Sequence, residues 1–357
     1  LQLQRYLNHS PIDVVFKQSK DDFVVNELPL YEFSGEGEHL VLKLRKKDLA
    51  TWDAIEILAN YLKCSPREFG YAGLKDKNAM TIQHISLHRK FEDQLKDFTH
   101  DNIKILETTY HNNKIKIGHL KGNSFFIRLK RVGLVEKQKI EEAMRKIAIY
   151  GMPNYFGFQR FGIDGENYKK GKAIVEGTLK ERNRNLKQMF INAYQSYLFN
   201  SWLSRRIEIS KLIEAFEPKE IFQKLNLPLE EIKRAKKQPH PFKIITGDLL
   251  SHYPFGKIFI IDDLEVESQK FFEKDRVPTG LLCGKRVKKS EGFALEIEKE
   301  FDVQMQEDGA RRFAFIFPEN LESNYKEDKN HMELSFYLPK GSYATELIAE
   351  ILHKELS

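Results

Sequence analysis

The chain has 357 residues, with 58 basic and 52 acidic side chains and a net charge of +6. Hydrophobic residues make up 41% and charged residues 31%, a balance that excludes a disordered or fibrous chain. The length suits two domains better than one core, and the small positive surplus permits a nucleic-acid partner without requiring one.

Two cysteines, Cys64 and Cys283, argue for a reducing compartment and against a disulfide framework. Neither has zinc-ligand spacing. His84 and His88 would share one face of a strand but have no third ligand nearby, so no metal is expected. No run of about 18 apolar residues marks a membrane span. The stretch Leu1 to Arg5 lacks a signal-peptide core, so the protein is expected in the cytoplasm.

Residues 12–45 read as strands. Phe23-Val24-Val25 follows the acidic pair Asp21-Asp22, and Ser34-Gly35 with Glu36-Gly37 marks a turn. From His39 to Arg45 the chain alternates, with Leu40, Leu42 and Leu44 on one face. A helix is expected over 51–63, with an apolar stripe of Trp52, Ile55, Leu58, Ala59 and Leu62. Thr51 or Asp48 would cap it and Pro66 would stop it.

The turn Gly73-Leu74-Lys75-Asp76-Lys77-Asn78 follows, leading through Ala79 into a strand from Thr81 to His88. Asp76 is the only acid between Glu68 and Glu92, set among Lys75, Lys77 and Arg67. Such a setting keeps a carboxylate ionised, and an ionised, positioned Asp serves as nucleophile or general base. A polar hairpin turn with solvated charges is the alternative. Further strands are expected over 103–109 and 114–119.

Lys121-Gly122-Asn123-Ser124-Phe125-Phe126 opens another strand, its Gly-Asn pair also compatible with a hairpin turn. A helix over 135–150 would turn Ile140, Met144 and Ile147 inward and end at Gly151. From Asn154 to Gly162 the chain concentrates Tyr155, Phe156, Phe158, Phe161, Gln159 and Arg160, suited to a nucleic-acid platform or to a wedge between domains. A long helix over 186–209 carries Gln195-Ser196-Tyr197-Leu198-Phe199-Asn200, with Met189, Ala193, Tyr197 and Trp202 at core spacing. Its Arg205-Arg206 pair would meet phosphate or solvent.

The densest positive run is Lys233-Arg234-Ala235-Lys236-Lys237, a solvated helix face or a set of phosphate contacts. Pro278-Thr279-Gly280 and Gly284 read as a loop. Arg311 to Phe317 reads as a strand returning to the first domain, and Glu333 to Tyr337 as another. Leu338-Pro339-Lys340-Gly341-Ser342-Tyr343-Ala344-Thr345 leads into a final helix capped by Ser342.

Five of these motifs occur in an order that resembles the TruD family of tRNA pseudouridine synthases. They are the Gly73–Gln83 turn, the 154–162 stretch, the 195–200 run, Pro278-Thr279-Gly280 with Gly284, and 338–345. The resemblance spans Lys17 to Glu350. It implies an α+β fold with a mixed, mostly antiparallel sheet, as in pseudouridine synthases. It also implies a discontinuous catalytic domain, 1–150 and 312–357, interrupted by an inserted domain over 151–311, with tRNA held in a cleft between them.

By the same resemblance Asp76 is catalytic and Lys17 supports it. Phe23, Asn123, Phe125 and Tyr343 surround the target uracil. Arg160, Lys233, Arg234, Lys236 and Lys237 are candidates for RNA contact. The implied reaction turns a uridine, at position 13 of tRNA, into pseudouridine without metal or cofactor. This agrees with the lack of a Gly-x-Gly-x-x-Gly loop or a P-loop. Two departures from the family pattern stand out: Tyr343 where Phe is usual, and Ala349 where an Arg is often found. Two other classes of function compete: an RNA-binding protein without activity, and a glycosidic-bond hydrolase. The hydrolase would need a second acid such as Glu27 or Glu32.

Overall fold

The structure is a computed structural model describing residues 3–16, 19–75, 77, 79–225 and 227–356. The chain runs β1 (Phe23–Pro29), β2 (His39–Lys46), α1 (Thr51–Tyr61), β3 (Gly70–Tyr71), β4 (Met80–His88), α2 (Glu92–Leu95), β5 (Ile103–His111), β6 (Leu120–Lys130) and α3 (Leu134–Tyr150). It continues through β7 (Met152–Pro153), α4 (Asn167–Val175), α5 (Arg184–Ala215), α6 (Pro218–Leu225), α7 (Leu229–Lys236), β8 (Leu249–His252) and β9 (Ile258–Ile260). Then come α8 (Leu264–Phe272), β10 (Arg276–Leu282), α9 (Gly292–Glu298), β11 (Ala310–Phe313), β12 (Phe315–Ile316), β13 (Glu319–Lys326), β14 (His331–Pro339) and α10 (Ala344–Leu352).

Two compact units result, one of Asp13–Glu141 with Pro318–Gly341, the other of Leu1–Ile12, Glu142–Phe317 and Ser342–Ser357. The first is built on an eight-stranded sheet in the order β13-β14-β6-β1-β4-β2-β5, with β3 beside β4. Only β1 and β4 run parallel, so the sheet is mixed and mostly antiparallel as expected.

Register decides which side chains share a face, because side chains alternate along a strand. Val25, Thr81 and Lys46 lie abreast, as do Val25, Phe125 and Phe336. One face therefore carries Phe23, Val25 and Glu27 of β1, Thr81, Gln83, Ile85 and Leu87 of β4, and Asn123, Phe125 and Ile127 of β6. Leu40, Leu42 and Leu44 of β2 continue this face and pack with Ala54, Ile55, Leu58 and Ala59 of α1 into one apolar core. Trp52 departs from the expected stripe: it is exposed and meets the edge of the Tyr71 ring.

Two further expectations for the first unit change. Residues 114–119 form no strand, since a turn with Gly118 at positive φ carries the chain from β5 to β6. Gly122-Asn123 lies inside β6, the strand expected to open there, and not in the alternative hairpin turn. A side chain at Gly122 would collide with the Leu338 carbonyl and the Tyr337 ring of β14, so glycine permits this pairing. The cap of α1 comes from Asp53, whose carboxylate accepts the Ala50 N–H at 2.7 Å, and not from Thr51 or Asp48.

The second unit packs the 32-residue helix α5 against a four-stranded sheet, β11-β10-β8-β9, beside a small β12-β7 pair. Pro278-Thr279-Gly280, expected as a loop, lies within β10. Proline fits there because its carbonyl still accepts, taking the Ala314 N–H at 2.8 Å. Residues 310–316, expected to return to the first domain, instead add β11 to β10 and β12 to β7.

The compact units also differ from the expected boundaries at both chain ends. The Ile12 N–H bonds the Leu352 carbonyl at 2.9 Å, the Leu7 N–H bonds Glu350 Oε1 at 2.6 Å, and Arg5 pairs with Glu346 at 3.1 Å. These bonds hold residues 3–12 against α10. Among the described residues Ser342 makes no cap there, and Tyr343 occupies the cap position with no side-chain cap bond.

Candidate active site

The Gly73 turn joins β3 to β4. Asp76, Asn78 and Lys17 lie outside the described residues. Lys75 is described, and its ammonium reaches Glu27 Oε2 at 2.6 Å, in a pair whose side chains are 8% and 1% exposed. Glu27 Oε1 accepts the backbone N–H of His84 at 3.2 Å, where the β1–β4 register has run out. Thr51, the first residue of α1, accepts the Lys75 N–H at 2.8 Å and donates to Gln83 Oε1 at 3.0 Å.

The charge of Lys75 is met by Glu27. Glu27 entered the sequence reading only as a spare acid, because one carboxylate in an alternating strand carries no local signal. Glu32, the other spare acid, is exposed. Burial pushes His84 below its usual pKa, against the opposing pull of Glu27, so the ring is neutral near pH 7.

Three expected base contacts share this face. Phe23 is buried on β1, edge-on to Phe125 at 6.2 Å. Phe125 stacks on Phe336 at 5.3 Å and 24°. Asn123 stands opposite Glu27 in the register, and its buried Oδ1 has no hydrogen-bond partner among the described residues. Just before β1, Asp22 binds Lys130 at 2.7 Å and Arg128 at 3.2 Å. Burial opposes its ionisation, but hydrogen bonds from Lys130, Ser19 and Arg128 prevail and hold its pKa below the usual range.

The other candidates belong to the second unit. Tyr343 lies 6.2 Å from the Phe156 ring, and Gly157 leaves it room, since a side chain there would press on the Tyr343 ring. Arg160 donates to Ser196 Oγ at 3.2 Å and sits 5.5 Å from the Phe156 ring. Arg312, which the sequence placed only in a strand, lies over the same ring at 3.8 Å and bonds the Asn154 side chain at 2.8 Å. Burial lowers its pKa to about 10, still charged at neutral pH.

The aromatic stretch divides by depth. Tyr155 and Phe156 are buried, whereas Phe158 is 42% exposed; Phe156 and Phe158 both line a cavity of about 190 Å³ with Phe161, Tyr168 and Tyr197. On α7, Lys233 pairs with Glu230 at 2.6 Å, Arg234 with Glu231 at 2.6 Å and Lys236 with Glu217 at 3.2 Å; Lys237 is exposed at its end. Arg206 meets neither phosphate nor solvent. It is buried on Asp248 at 2.6 and 2.7 Å and donates to the Lys243 carbonyl at 3.0 Å.

Among the described residues, no group of three or more His, Cys, Asp or Glu side chains is arranged to hold a metal ion, and no helix is long and apolar enough to cross a membrane.

The family model for tRNA pseudouridine synthase D (TruD) matches residues 2–182 and 176–351. The chain belongs to the TruD family. It is 53% identical over 350 residues to the tRNA pseudouridine synthase D of Sulfurimonas denitrificans, covering 98% of both chains. It is 54% identical to that of a Nitratiruptor species, again over 98% of both chains. A solved crystal structure from Methanosarcina mazei, assigned to TruD, shares the fold. Its TM-score is 0.71 at 22% identity, over 99% of this chain and 96% of that one.

Proposed function

We propose that this chain isomerises the uridine at position 13 of tRNA to pseudouridine, with Asp76 as its nucleophile or general base. The protein is a tRNA pseudouridine synthase by family, an isomerase. The observation that carries the site assignment is the shared face of the sheet. Phe23, Asn123 and Phe125 lie on it with Thr81 and Gln83, on the strand that follows Asp76 in the chain.

The target base must leave its stack before any group can reach it. Phe23 and Phe125 then pack around the uracil, a contact worth roughly 1–3 kcal/mol per base. The Oδ1 of Asn123, without a partner among the described residues, suits the N3–H of uracil, and its amide nitrogen suits a ring carbonyl. Tyr343 keeps the stacking face of the usual Phe and adds a hydroxyl.

Asp76 attacks the sugar C1′ or uracil C6, or removes a sugar proton to give a glycal. In each route the C1′–N1 bond breaks, the uracil turns, C5 bonds to C1′, and the C5 proton leaves as N1 gains one. The balance closes within the substrate, so the reaction calls for no oxidant, donor or hydrolytic water. Lys17 supports Asp76. The proposed catalytic domain, 1–150 with 312–357 interrupted by 151–311, is the division the family resemblance implies and does not coincide with the compact units. Arg160, Lys233, Arg234, Lys236 and Lys237 supply phosphate contacts, with Lys237 favoured because the other three on α7 are engaged by acids. The enzyme is assigned to the cytoplasm, where its tRNA substrates are found.

The test is to incubate the protein, with chelator and no added cofactor, with tRNA transcripts carrying uridine or cytidine at position 13. Pseudouridine is then mapped by base. The proposal predicts a signal at position 13 of the uridine transcript alone. Pseudouridine elsewhere would overturn the target. Free uracil would point to a hydrolase, and tight binding without product to an inactive RNA-binding protein.

A further inference from the structure

We infer that Glu27 and Thr51 are positioning residues, fixing the peptide that leads into Asp76. This rests on the reading of Asp76 as the catalytic residue. Among the described residues between Ala72, whose carbonyl accepts the Gly118 N–H at 2.9 Å, and the start of β4 at Met80, one is held at both backbone and side chain. That residue is Lys75. Its N–H is held by Thr51 at 2.8 Å and its ammonium by Glu27 at 2.6 Å.

Both holders are themselves fixed. Glu27 sits on β1, 1% exposed, with its second oxygen on the His84 N–H. Thr51 is also 1% exposed, tied through its hydroxyl to Gln83 two residues into the face of β4. The turn is thus anchored to three elements, β1, α1 and β4, at the residue next to Asp76. Lys75 is a tether, with its charge neutralised by Glu27. A carboxylate needs such a fixed backbone, because misplacement by about 1 Å can cost about 100-fold in rate.

The test measures single-turnover pseudouridine formation, tRNA affinity and melting temperature for wild type, Glu27→Gln, Lys75→Met, their double variant, Thr51→Val and Thr51→Ser. Glu27→Gln and Thr51→Val should each lower the rate about 100-fold while tRNA affinity stays within about twofold. Thr51→Ser, which keeps the hydroxyl, should restore the rate to within about threefold of wild type. Because Glu27 acts through Lys75, the double variant should be no slower than the slower single one.

Rates unchanged below the melting temperature in Glu27→Gln and Thr51→Val would overturn the inference and leave a purely structural network. Additive losses in the double variant would also overturn it, by showing that Glu27 acts on substrate directly. Failure of Thr51→Ser to restore the rate would remove Thr51 from the proposal. A wild-type protein that makes no pseudouridine would instead count against the proposed reaction itself.

Discussion

Asn200 clamps the backbone of Phe156 from both sides. Its Oδ1 accepts the Phe156 N–H at 2.9 Å and its Nδ2 donates to the Phe156 carbonyl at 2.9 Å. The motif at 195–200 thus supports the aromatic stretch at 154–162 by satisfying a buried non-helical peptide. Asn200→Ala leaves two buried backbone groups unpaired and should cost about 2–4 kcal/mol in denaturant unfolding. A loss below about 0.5 kcal/mol would contradict this role. At this scale, legibility follows sequence distance. The Gly73–Gln83 turn is visible because its residues are adjacent in the chain. Glu27 and Lys75 are 48 positions apart and Arg206 and Asp248 are 42 apart, so neither pairing has a local signature.

Among the elements, β2 and α1 were readable because Leu40, Leu42 and Leu44 alternate and Ile55, Leu58, Ala59 and Leu62 recur at helical spacing, although Trp52 is exposed and Val41 is buried on the other face of β2. β10 was not, since Pro278 and Gly280 are turn residues by habit. Tertiary packing explains both. Pro278 uses only its carbonyl, and Gly280 lets α5 lie close, since a Cβ there would collide with the Trp202 ring and approach Phe199 to 2.8 Å. Gly280→Ala should therefore destabilise the protein by about 1–3 kcal/mol, read as a lower denaturant midpoint at unchanged slope. An unchanged midpoint would show that the helix can retreat at no cost. β13 was passed over because its residues, Glu319 to Lys326, are polar on both faces and owe their conformation to pairing with β14.

Across the whole molecule, the two chain ends meet through a buried carboxylate. Glu350 on α10 bonds the Leu7 N–H; burial raises its pKa to about 7, opposed by that N–H and by Arg5 and Lys211. The folded protein thus keeps its proton up to about pH 7, whereas the unfolded chain releases it near 4.5. Stability from this group is full below the unfolded value and is lost as pH rises toward 7. Glu350→Gln removes that loss. Relative to wild type, the variant should gain roughly 3 kcal/mol of unfolding free energy between pH 4.5 and 7. A difference independent of pH would contradict the assignment. The α+β class and the mixed sheet were legible through the family resemblance that the motifs and their order carry, and not from strand periods. The gathering of residues 1–12 with 342–357 was not, because it depends on contacts between opposite ends of the chain.

The most direct test compares wild type with Asp76→Asn in single turnover on tRNA bearing uridine at position 13. The account predicts pseudouridine with wild type and none with the variant, while both bind the tRNA alike and lose affinity alike as salt is raised. Equal activity in the two proteins would contradict the central claim.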